Sequence, residues 1–321
     1  MREAMPEAAR KAVPSSPFRG LLCALCLMML LTTACVQAAT DDTTTVTAVS
    51  PNVTTSATPD AAPITSAPQS AETLSGEPST LGDPAPAITI TDVCDNQALQ
   101  ASLQTDWCFA CLIKGYDQTV LFDTGSGSEM LLANMETLGI DPAAIDTVVL
   151  SHEHKDHTAG LLGLLAVHPD VTVYCPASFP QSLTNSAEAA GATVVLVDAA
   201  TSICSGVTVT APLGDSPSEV GLLLDTAEGP ALIVGCAHPG VATMASAATD
   251  LADGPLFALL GGFHLYKDSP GQVAAAIAEI QELGIEQCGP AHCTGDAAVS
   301  LIQEVFGVGF IHMGVGAVVE F

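Results

Sequence analysis

Three histidines and an aspartate fall within six residues of one another, in the run Ser151-His152-Glu153-His154-Lys155-Asp156-His157. On an extended chain His152 and His154 point to the same side, because alternate side chains share a face. Three imidazoles and a carboxylate this close together suit zinc or another divalent metal. Without a metal, the same groups would be crowded together with no partner. The cluster therefore predicts a metal site rather than a solvated polar loop.

The elements around this cluster place it at a turn between a strand and a helix. An apolar strand, Thr147–Leu150, precedes it, and a helix begins after it. Two later histidines also follow short apolar runs, since Ala231–Val234 precedes His238 and Leu256–Leu260 precedes His264. Such positions at strand ends are what a site at the edge of a sheet requires.

Residues 86–321 alternate between predicted strands and predicted helices, which indicates one α/β domain with a substantial core. The predicted strands are short and bounded by turn residues: Ile88–Val93, Trp107–Lys114, Thr119–Phe122, Thr147–Leu150, Val171–Cys175, Thr193–Val197, Gly206–Thr210, Gly221–Leu224, Ala231–Val234 and Leu256–Leu260. The predicted helices are Glu129–Leu138, Ala159–Ala166, Ser186–Ala190, Val241–Leu251, Gln272–Leu283 and Ala297–Phe306.

The charge balance excludes one class of partner. The chain has 35 acidic and 7 basic residues and a formal net charge of −28. After residue 40 it has three lysines and no arginine. Nucleic-acid binding depends on lysine and arginine, so we expect no nucleic-acid partner. The composition also removes the arginine fork as a clamp for anionic substrates.

The first part of the chain predicts export. Residues 1–38 have a basic start, an apolar run of about fourteen residues and small residues after it, as in a signal peptide. The run is shorter than the roughly 20 residues that span a bilayer. Cleavage after Val36-Gln37-Ala38 and a lipoprotein-type ending at Cys35 both fit, and an uncleaved anchor is the alternative. Residues 39–85, rich in Ser, Thr, Pro and Ala, predict a disordered tether. We therefore expect a periplasmic, cell-surface or secreted protein whose only membrane contact is a signal or lipid anchor.

Five motifs together resemble the metallo-β-lactamase fold. They are the His-x-His-x-Asp-His run, Leu121-Phe122-Asp123-Thr124-Gly125, Gly235-Cys236-Ala237-His238-Pro239-Gly240, Gly261-Gly262-Phe263-His264-Leu265 and Pro290-Ala291-His292-Cys293-Thr294-Gly295. With Asp95-Asn96, they are similar to the branch named 7,8-dihydropterin-6-methyl-4-(β-D-ribofuranosyl)aminobenzene-5′-phosphate synthase. The resemblance implies an αββα sandwich, with two sheets face to face, helices outside and metals at one edge.

The same resemblance implies two divalent metal ions with a water or hydroxide between them. One metal would bind His152, His154 and His238, and the other would bind Asp156, His157 and His292. Zinc is favoured over iron or manganese, because the diiron branch of the superfamily has glutamate where this chain has His154.

Further residues receive roles around these two metals. Asp156 would also orient the hydroxide and is a candidate catalytic residue. His264 is the second one, either as a proton donor to the leaving group, as a ligand or as a partner of a ligand. Asp123 would accept hydrogen bonds that hold the metal loop. Cys236 stands where many members have aspartate, and both a thiolate ligand and a buried small residue remain open.

The remaining histidines and the cysteines receive structural interpretations. We expect His168 to face solvent at a helix end and His312 to pack near a C-terminal strand. Cys108 and Cys111 lie three apart on a predicted strand and so point to opposite faces, which favours packing over a redox pair. Cys288 and Cys293 are predicted to pack or to form a disulfide.

The leading functional hypothesis is an exported metal-dependent hydrolase of a small molecule with an ester, amide, thioester or phosphate bond. One alternative is a transferase of the branch type. Export disfavours it, because pterin intermediates are cytoplasmic. Another alternative is a metal-binding or ligand-binding module without turnover.

Overall fold

The computed structural model describes residues 87–321, which form two β-sheets flanked by helices. The predicted signal peptide (1–38) and tether (39–85) lie outside the described residues. The strands are β1 Thr89–Cys94, β2 Ala110–Lys114, β3 Val120–Phe122, β4 Thr147–Val149, β5 Thr172–Pro176, β6 Thr193–Val197, β7 Thr201–Cys204, β8 Val207–Val209, β9 Leu222–Asp225, β10 Pro230–Val234, β11 Ala258–Gly262, β12 Gln287–Ala291 and β13 Val318–Glu320. The α-helices are α1 Ser128–Leu138, α2 Lys155–Thr158, α3 Leu161–Val167, α4 Gln181–Ala190, α5 Val241–Ala252, α6 Pro270–Glu282 and α7 Asp296–Phe306.

In each sheet the parallel strands are neighbours, so their carboxyl ends lie along the same edge. The first sheet has the order β13-β1-β2-β3-β4-β5-β6, in which β3 to β6 are parallel. The second has the order β12-β11-β10-β9-β8-β7, in which β10, β11 and β12 are parallel. Loops that leave the carboxyl ends of parallel neighbours emerge side by side, so residues distant in sequence can meet there.

Three apolar layers hold the sheets and helices together. The middle layer lies between the sheets and includes Phe122, Leu222 and Ile233. A second layer lies under α1, α3 and α4 on the first sheet, and a third lies under α5, α6 and α7 on the second. The order is helix, sheet, sheet, helix, which confirms the predicted αββα sandwich.

One predicted strand begins later than expected. The prediction was Trp107–Lys114, but β2 begins at Ala110. The backbone N–H of Phe109 donates instead to the carbonyl of Asp156, and its carbonyl accepts from Gly125. The segment 107–109 is therefore a loop that contacts the histidine cluster. Cys108, in this loop, and Cys111, in β2, pack into different apolar layers, so they do pack apart as predicted, although Cys108 does not belong to the strand.

The sequence missed four elements, all short or of unfavourable composition. β7 has four residues and β13 has three. β12 contains Gly289 and Pro290, which are rare in strand interiors. The single turn α2 precedes α3, where one helix (Ala159–Ala166) was predicted. The helix predicted at Ser186–Ala190 begins five residues earlier, at Gln181.

Two histidines lie away from the cluster. His168 ends α3 and is half-buried, with its Nε2 3.1 Å from the carbonyl oxygen of Ile145, so the prediction that it faces solvent was wrong. His312 is exposed and lies against Phe310 rather than packing into the core. Within residues 87–321, none of the helices combines the length and the apolar character that crossing a bilayer demands.

We predict that Leu222→Ala lowers the free energy of unfolding by about 2–5 kcal/mol, because it opens a cavity between the two sheets. Leu222 is completely buried there. Urea unfolding followed by circular dichroism measures the change. Val308→Ala, at a fully exposed site, is the control and should change stability by less than about 0.5 kcal/mol. Equal effects from the two substitutions would contradict the sandwich core.

Candidate metal centre

The residues predicted from the five motifs meet at the edge where the parallel strands end. Asp123 follows β3, His152 and His154 follow β4, and Asp156 and His157 lie in α2. On the second sheet, Cys236 and His238 follow β10, His264 follows β11 and His292 follows β12. The two sheets thus contribute to one site, although its residues span positions 123 to 292.

His152, His154 and His238 form the first group of possible ligands. Each has a ring nitrogen within 4.8 Å of the others. His152 Nε2 lies 3.1 Å from His154 Nδ1. Burial lowers the pKa of His152 well below its usual value. Burial and the neighbouring imidazole of His264 lower the pKa of His238 to about 3. These two rings are therefore neutral at pH 7 and offer a lone pair to a metal.

Asp156, His157 and His292 form the second group, again with ligand atoms within 4.8 Å of one another. Asp156 Oδ2 lies 3.3 Å from His292 Nε2 and 3.8 Å from His157 Nε2. Burial alone would raise the pKa of Asp156, but the nearby imidazoles of His292 and His157 outweigh it and lower the pKa to about 2. Asp156 is therefore a carboxylate at neutral pH.

Cys236 lies between these two groups. Its Sγ is 3.2 Å from His157 Nε2, and it forms a possible ligand set with His152 and His157. His152 belongs to the first group and His157 to the second, so Cys236 lies beside both. Whether the thiol ligates stays a prediction.

His264 and Cys293 complete a further set with Cys236. The rings of His264 and His238 are 4.2 Å apart, and the backbone N–H of His264 lies 3.3 Å from Cys293 Sγ. Cys293 was predicted to pack or to form a disulfide; it is buried, and all eight cysteines within residues 87–321 are unpaired. Its position directly after His292 was the one signal in the sequence that could have placed it at the site.

Asp123 fixes the loop that carries the histidine cluster. Its Oδ1 accepts from the Ser151 backbone N–H at 2.8 Å, and its Oδ2 accepts from Ser151 Oγ and His157 Nδ1, both at 2.7 Å. Burial would lower the pKa of His157, but the charges of Asp123 and Asp156 raise it to about 9. With Nδ1–H donated to Asp123, Nε2 faces the possible metal position, which is how carboxylates orient metal-binding histidines.

Glu219 fixes the loop after β10 on the second sheet, as Asp123 fixes the loop after β4 on the first. The sequence analysis did not identify Glu219. This fully buried carboxylate accepts from the backbone N–H groups of Cys236, Ala237 and His238, each at 2.8 Å. Burial nevertheless raises its pKa. The neighbouring Val220 N–H donates to the Ser151 carbonyl. A single acidic residue with no spaced partners gives no motif, so nothing in the sequence marked it.

Asn96 positions His292. Its Oδ1 lies 3.0 Å from His292 Nδ1, and its Nδ2 donates to the His292 carbonyl at 2.9 Å. Asp95 accepts from the backbone N–H of His292 at 3.3 Å. The motif Asp95-Asn96 therefore orients a possible ligand from a position nearly 200 residues away in the chain.

Backbone strain concentrates at this edge. Within residues 87–321, five non-glycine residues have positive φ, and four belong to the site: Asp123 (59°), Ala237 (56°), His264 (52°) and His292 (43°). Such conformations cost of order 1–3 kcal/mol each and cluster at functional sites. Close packing adds a constraint at Gly235, where a Cβ would lie 2.1 Å from Ser151 Oγ.

The donor atoms fit a bound cation. The Nε2 of His238 and the Nδ1 of His264 are buried without a hydrogen-bond partner. A buried polar atom left alone costs about 1–3 kcal/mol, which metal coordination would offset. The imidazole-rich donor sets, with one carboxylate and a thiol, suit zinc.

Comparison with known proteins agrees with this geometry. Residues 108–270, half of the chain, match the family model of the metallo-beta-lactamase superfamily. The chain therefore belongs to the metallo-beta-lactamase superfamily.

Within that superfamily, one curated relative carries the branch name suggested by the motifs. The chain is 26% identical to the 7,8-dihydropterin-6-methyl-4-(beta-D-ribofuranosyl)-aminobenzene-5′-phosphate synthase of Methanocaldococcus jannaschii over 252 residues, which cover 64% of this chain and 86% of that protein. It is also 26% identical to a metal-dependent hydrolase of the beta-lactamase superfamily of known crystal structure, with a TM-score of 0.62 over 73% of this chain and 99% of the other. A metallo-beta-lactamase fold protein from Bacillus subtilis, 16% identical, shares the fold with a TM-score of 0.55 over 73% of this chain and 100% of the other.

We predict that Glu219→Gln lowers the free energy of unfolding by about 1–3 kcal/mol, because an amide has one accepting oxygen for three backbone donors. We also expect weaker zinc binding, since His238 loses its backbone anchor. Urea unfolding and zinc titration measure the two effects. Glu228→Gln, the same change at an exposed position, is the control. If both variants behave like the parent, the anchoring role of Glu219 is wrong.

Proposed function

We propose that this protein is an exported metal-dependent hydrolase of a small-molecule substrate. The main support is the meeting of two donor groups at one edge, His152, His154 and His238 beside Asp156, His157 and His292. Superfamily membership supports a metal-dependent hydrolase fold. The donor chemistry favours two zinc ions held by these six residues, and Cys236 lies beside both groups.

The residues around the centre suggest how such a reaction would be assisted. Divalent cations held by these residues would supply an acidified water and polarise the scissile group. Asp156, ionised at neutral pH, would accept a hydrogen bond from that water and orient it. His264 has an unpartnered Nδ1, and Cys293 raises its pKa. His264 is therefore suited to deliver a proton to the leaving group.

The shape of the site favours a small substrate. A cavity of about 310 Å³ lies beside His292, and one of about 280 Å³ lies beside His238 and His264. These volumes are at or just below the lower end of the range for small-molecule pockets. The three lysines and the absence of arginine after residue 40 also disfavour a polyanionic substrate.

Transferase chemistry is the second candidate, and the similarity to the Methanocaldococcus jannaschii synthase favours it. A synthase reaction would also use a metal centre to position and activate its substrates. The hydrolase is preferred because arginine is absent after residue 40, which weakens recognition of a phosphate-bearing substrate. The signal-like segment 1–38 also supports a location outside the cytoplasm.

We predict that the purified protein binds about two zinc ions per chain, and that Asp156→Asn lowers kcat/KM by about a hundredfold or more, because it removes both a ligand and an orienting carboxylate. Elemental analysis and a panel of chromogenic esters, phosphates and lactams give the two measurements. Chelation should abolish hydrolysis and zinc should restore it.

Asp170→Asn, an exposed aspartate before β5, is the matched control and should keep full activity. Protein that contains no stoichiometric metal and gains none from added zinc would refute the proposal. Formation of a coupled pterin product without ester hydrolysis would favour the transferase. A ligand that raises Tm in protein without any turnover would favour the binding module.

The proposed export gives a separate prediction. When the full chain is expressed with its own N-terminus in a bacterium with two membranes, the mature protein should lie outside the cytoplasm and lack about the first 34–38 residues. Mass spectrometry of the fractions measures this. Cys35→Ser should abolish membrane association if the ending is of the lipoprotein type, and should leave a soluble product unchanged if it is not. Full-length protein in the cytoplasm would contradict export.

A further inference from the structure

Two aromatic side chains stand partly exposed beside the candidate centre. Trp107, the only tryptophan of the chain, has its ring centroid 4.9 Å from that of His292 and is 43% exposed. Tyr266 packs edge-on against Trp107 at 5.0 Å, lies 5.4 Å from His264 and is 39% exposed. The two rings therefore line one side of the candidate centre, from the candidate ligand His292 to the candidate proton donor His264. We call Trp107 and Tyr266 together the aromatic wall. Half-exposed aromatic rings lose much of the burial energy that their size offers.

The backbone that carries each ring is fixed by its surroundings. The backbone N–H of Trp107 donates to Asp106 Oδ1 at 2.8 Å, and Asp106 Oδ2 accepts from Ser126 Oγ at 2.7 Å. Tyr266 lies against Gly295, whose φ is +83° and where a Cβ would be 2.8 Å from both Cα and Cβ of the tyrosine. Only glycine permits Tyr266 to approach this closely. The wall is thus a constructed feature of the site rather than a pair of loose surface side chains.

Trp107 and His292 both line the cavity of about 310 Å³. Met313 and Phe310 line its apolar part, and Gln97 and Asp296 lie at its rim. Among the described residues that line it, none is a lysine or an arginine. A planar group would fit against the indole face, while the carboxylate of Asp296 favours N–H donors and disfavours anions.

We propose that this cavity binds a planar ring of the substrate, aromatic or heteroaromatic, neutral or amino-substituted, with the ring stacked on Trp107. The proposal rests on the proposed function, because the reacting bond must then lie at the metal centre next to His292. It identifies the substrate class as a ring-bearing compound whose scissile group is attached close to the ring. The substrate's negatively charged groups, where present, lie away from Asp296.

The test uses hydroxamates, which chelate divalent metals, on the zinc-loaded protein. Benzohydroxamate should bind about tenfold more tightly than acetohydroxamate, because its ring can stack on Trp107. We call this ratio of affinities the ring advantage. Binding of benzohydroxamate should also quench the fluorescence of Trp107. In Trp107→Leu, measured by calorimetry, that advantage should fall below about threefold, while the affinity for acetohydroxamate stays unchanged. Tyr266→Leu should reduce the advantage by a smaller factor.

Two controls make the test specific. Tyr116→Leu changes a half-buried tyrosine on the hairpin before β3, at the opposite end of that strand from Asp123, and should leave the ring advantage intact. For ring substituents, 4-aminobenzohydroxamate should bind at least about threefold more tightly than 4-carboxybenzohydroxamate, and Asp296→Asn should remove that difference.

The outcomes separate this proposal from the proposed function. Equal affinity for the two unsubstituted hydroxamates, or a ring advantage that survives Trp107→Leu, overturns the ring site and leaves the hydrolase standing. Failure of both hydroxamates to bind overturns the metal centre on which the two proposals rest.

Discussion

One buried carboxylate, that of Asp123, accepts the three hydrogen bonds that fix the loop after β4. The charge is far from solvent, so it needs partners, and it finds them in Ser151 and His157. The same bonds set which nitrogen of His157 faces the centre. Glu219 repeats the arrangement on the second sheet with three backbone donors. The site is therefore built on two desolvated acids that touch its possible ligands or the backbone carrying them.

The negative charges of the buried carboxylates are offset by groups within the site rather than by the protein surface. The chain as a whole is strongly acidic, yet the centre collects histidines, and burial keeps two of them, His152 and His238, neutral. Each neutral imidazole offers one donor and one acceptor, and the crowding leaves His238 Nε2 and His264 Nδ1 buried without a hydrogen-bond partner. A divalent cation would satisfy several lone pairs at once and offset negative charge from Asp123, Asp156 and Glu219. A bound cation would therefore stabilise the folded state most at this site, where buried polar atoms lack hydrogen-bond partners.

The motifs predicted the sandwich through their resemblance to a known fold, and the histidine cluster and the strand ends indicated most of the candidate site because those signals are local. The cluster His152 to His157 is dense, and strands such as β4 and β10 are apolar runs with clear bounds. What the sequence analysis missed depends on tertiary contacts. β12 forms despite glycine and proline because β11 supplies a parallel partner, and segment 107–109 leaves the sheet because Asp156 takes its hydrogen bond. Glu219 belongs to the site only through folding, so its place in the chain carries no trace of that role, and the only sequence signal for Cys293 is that it directly follows His292.

The position of β13 has a consequence for the order of folding. This strand pairs with β1 at the edge of the first sheet, yet it follows every strand of the second sheet in the chain. Just before it, Gly314 and Gly316 also donate their backbone N–H groups to Asp92 of β1. The first sheet consequently gains its outermost strand only after the ribosome has made the whole of the second. Until then β1 has an open edge, and a nascent chain at that stage presents a template for unwanted strand pairing.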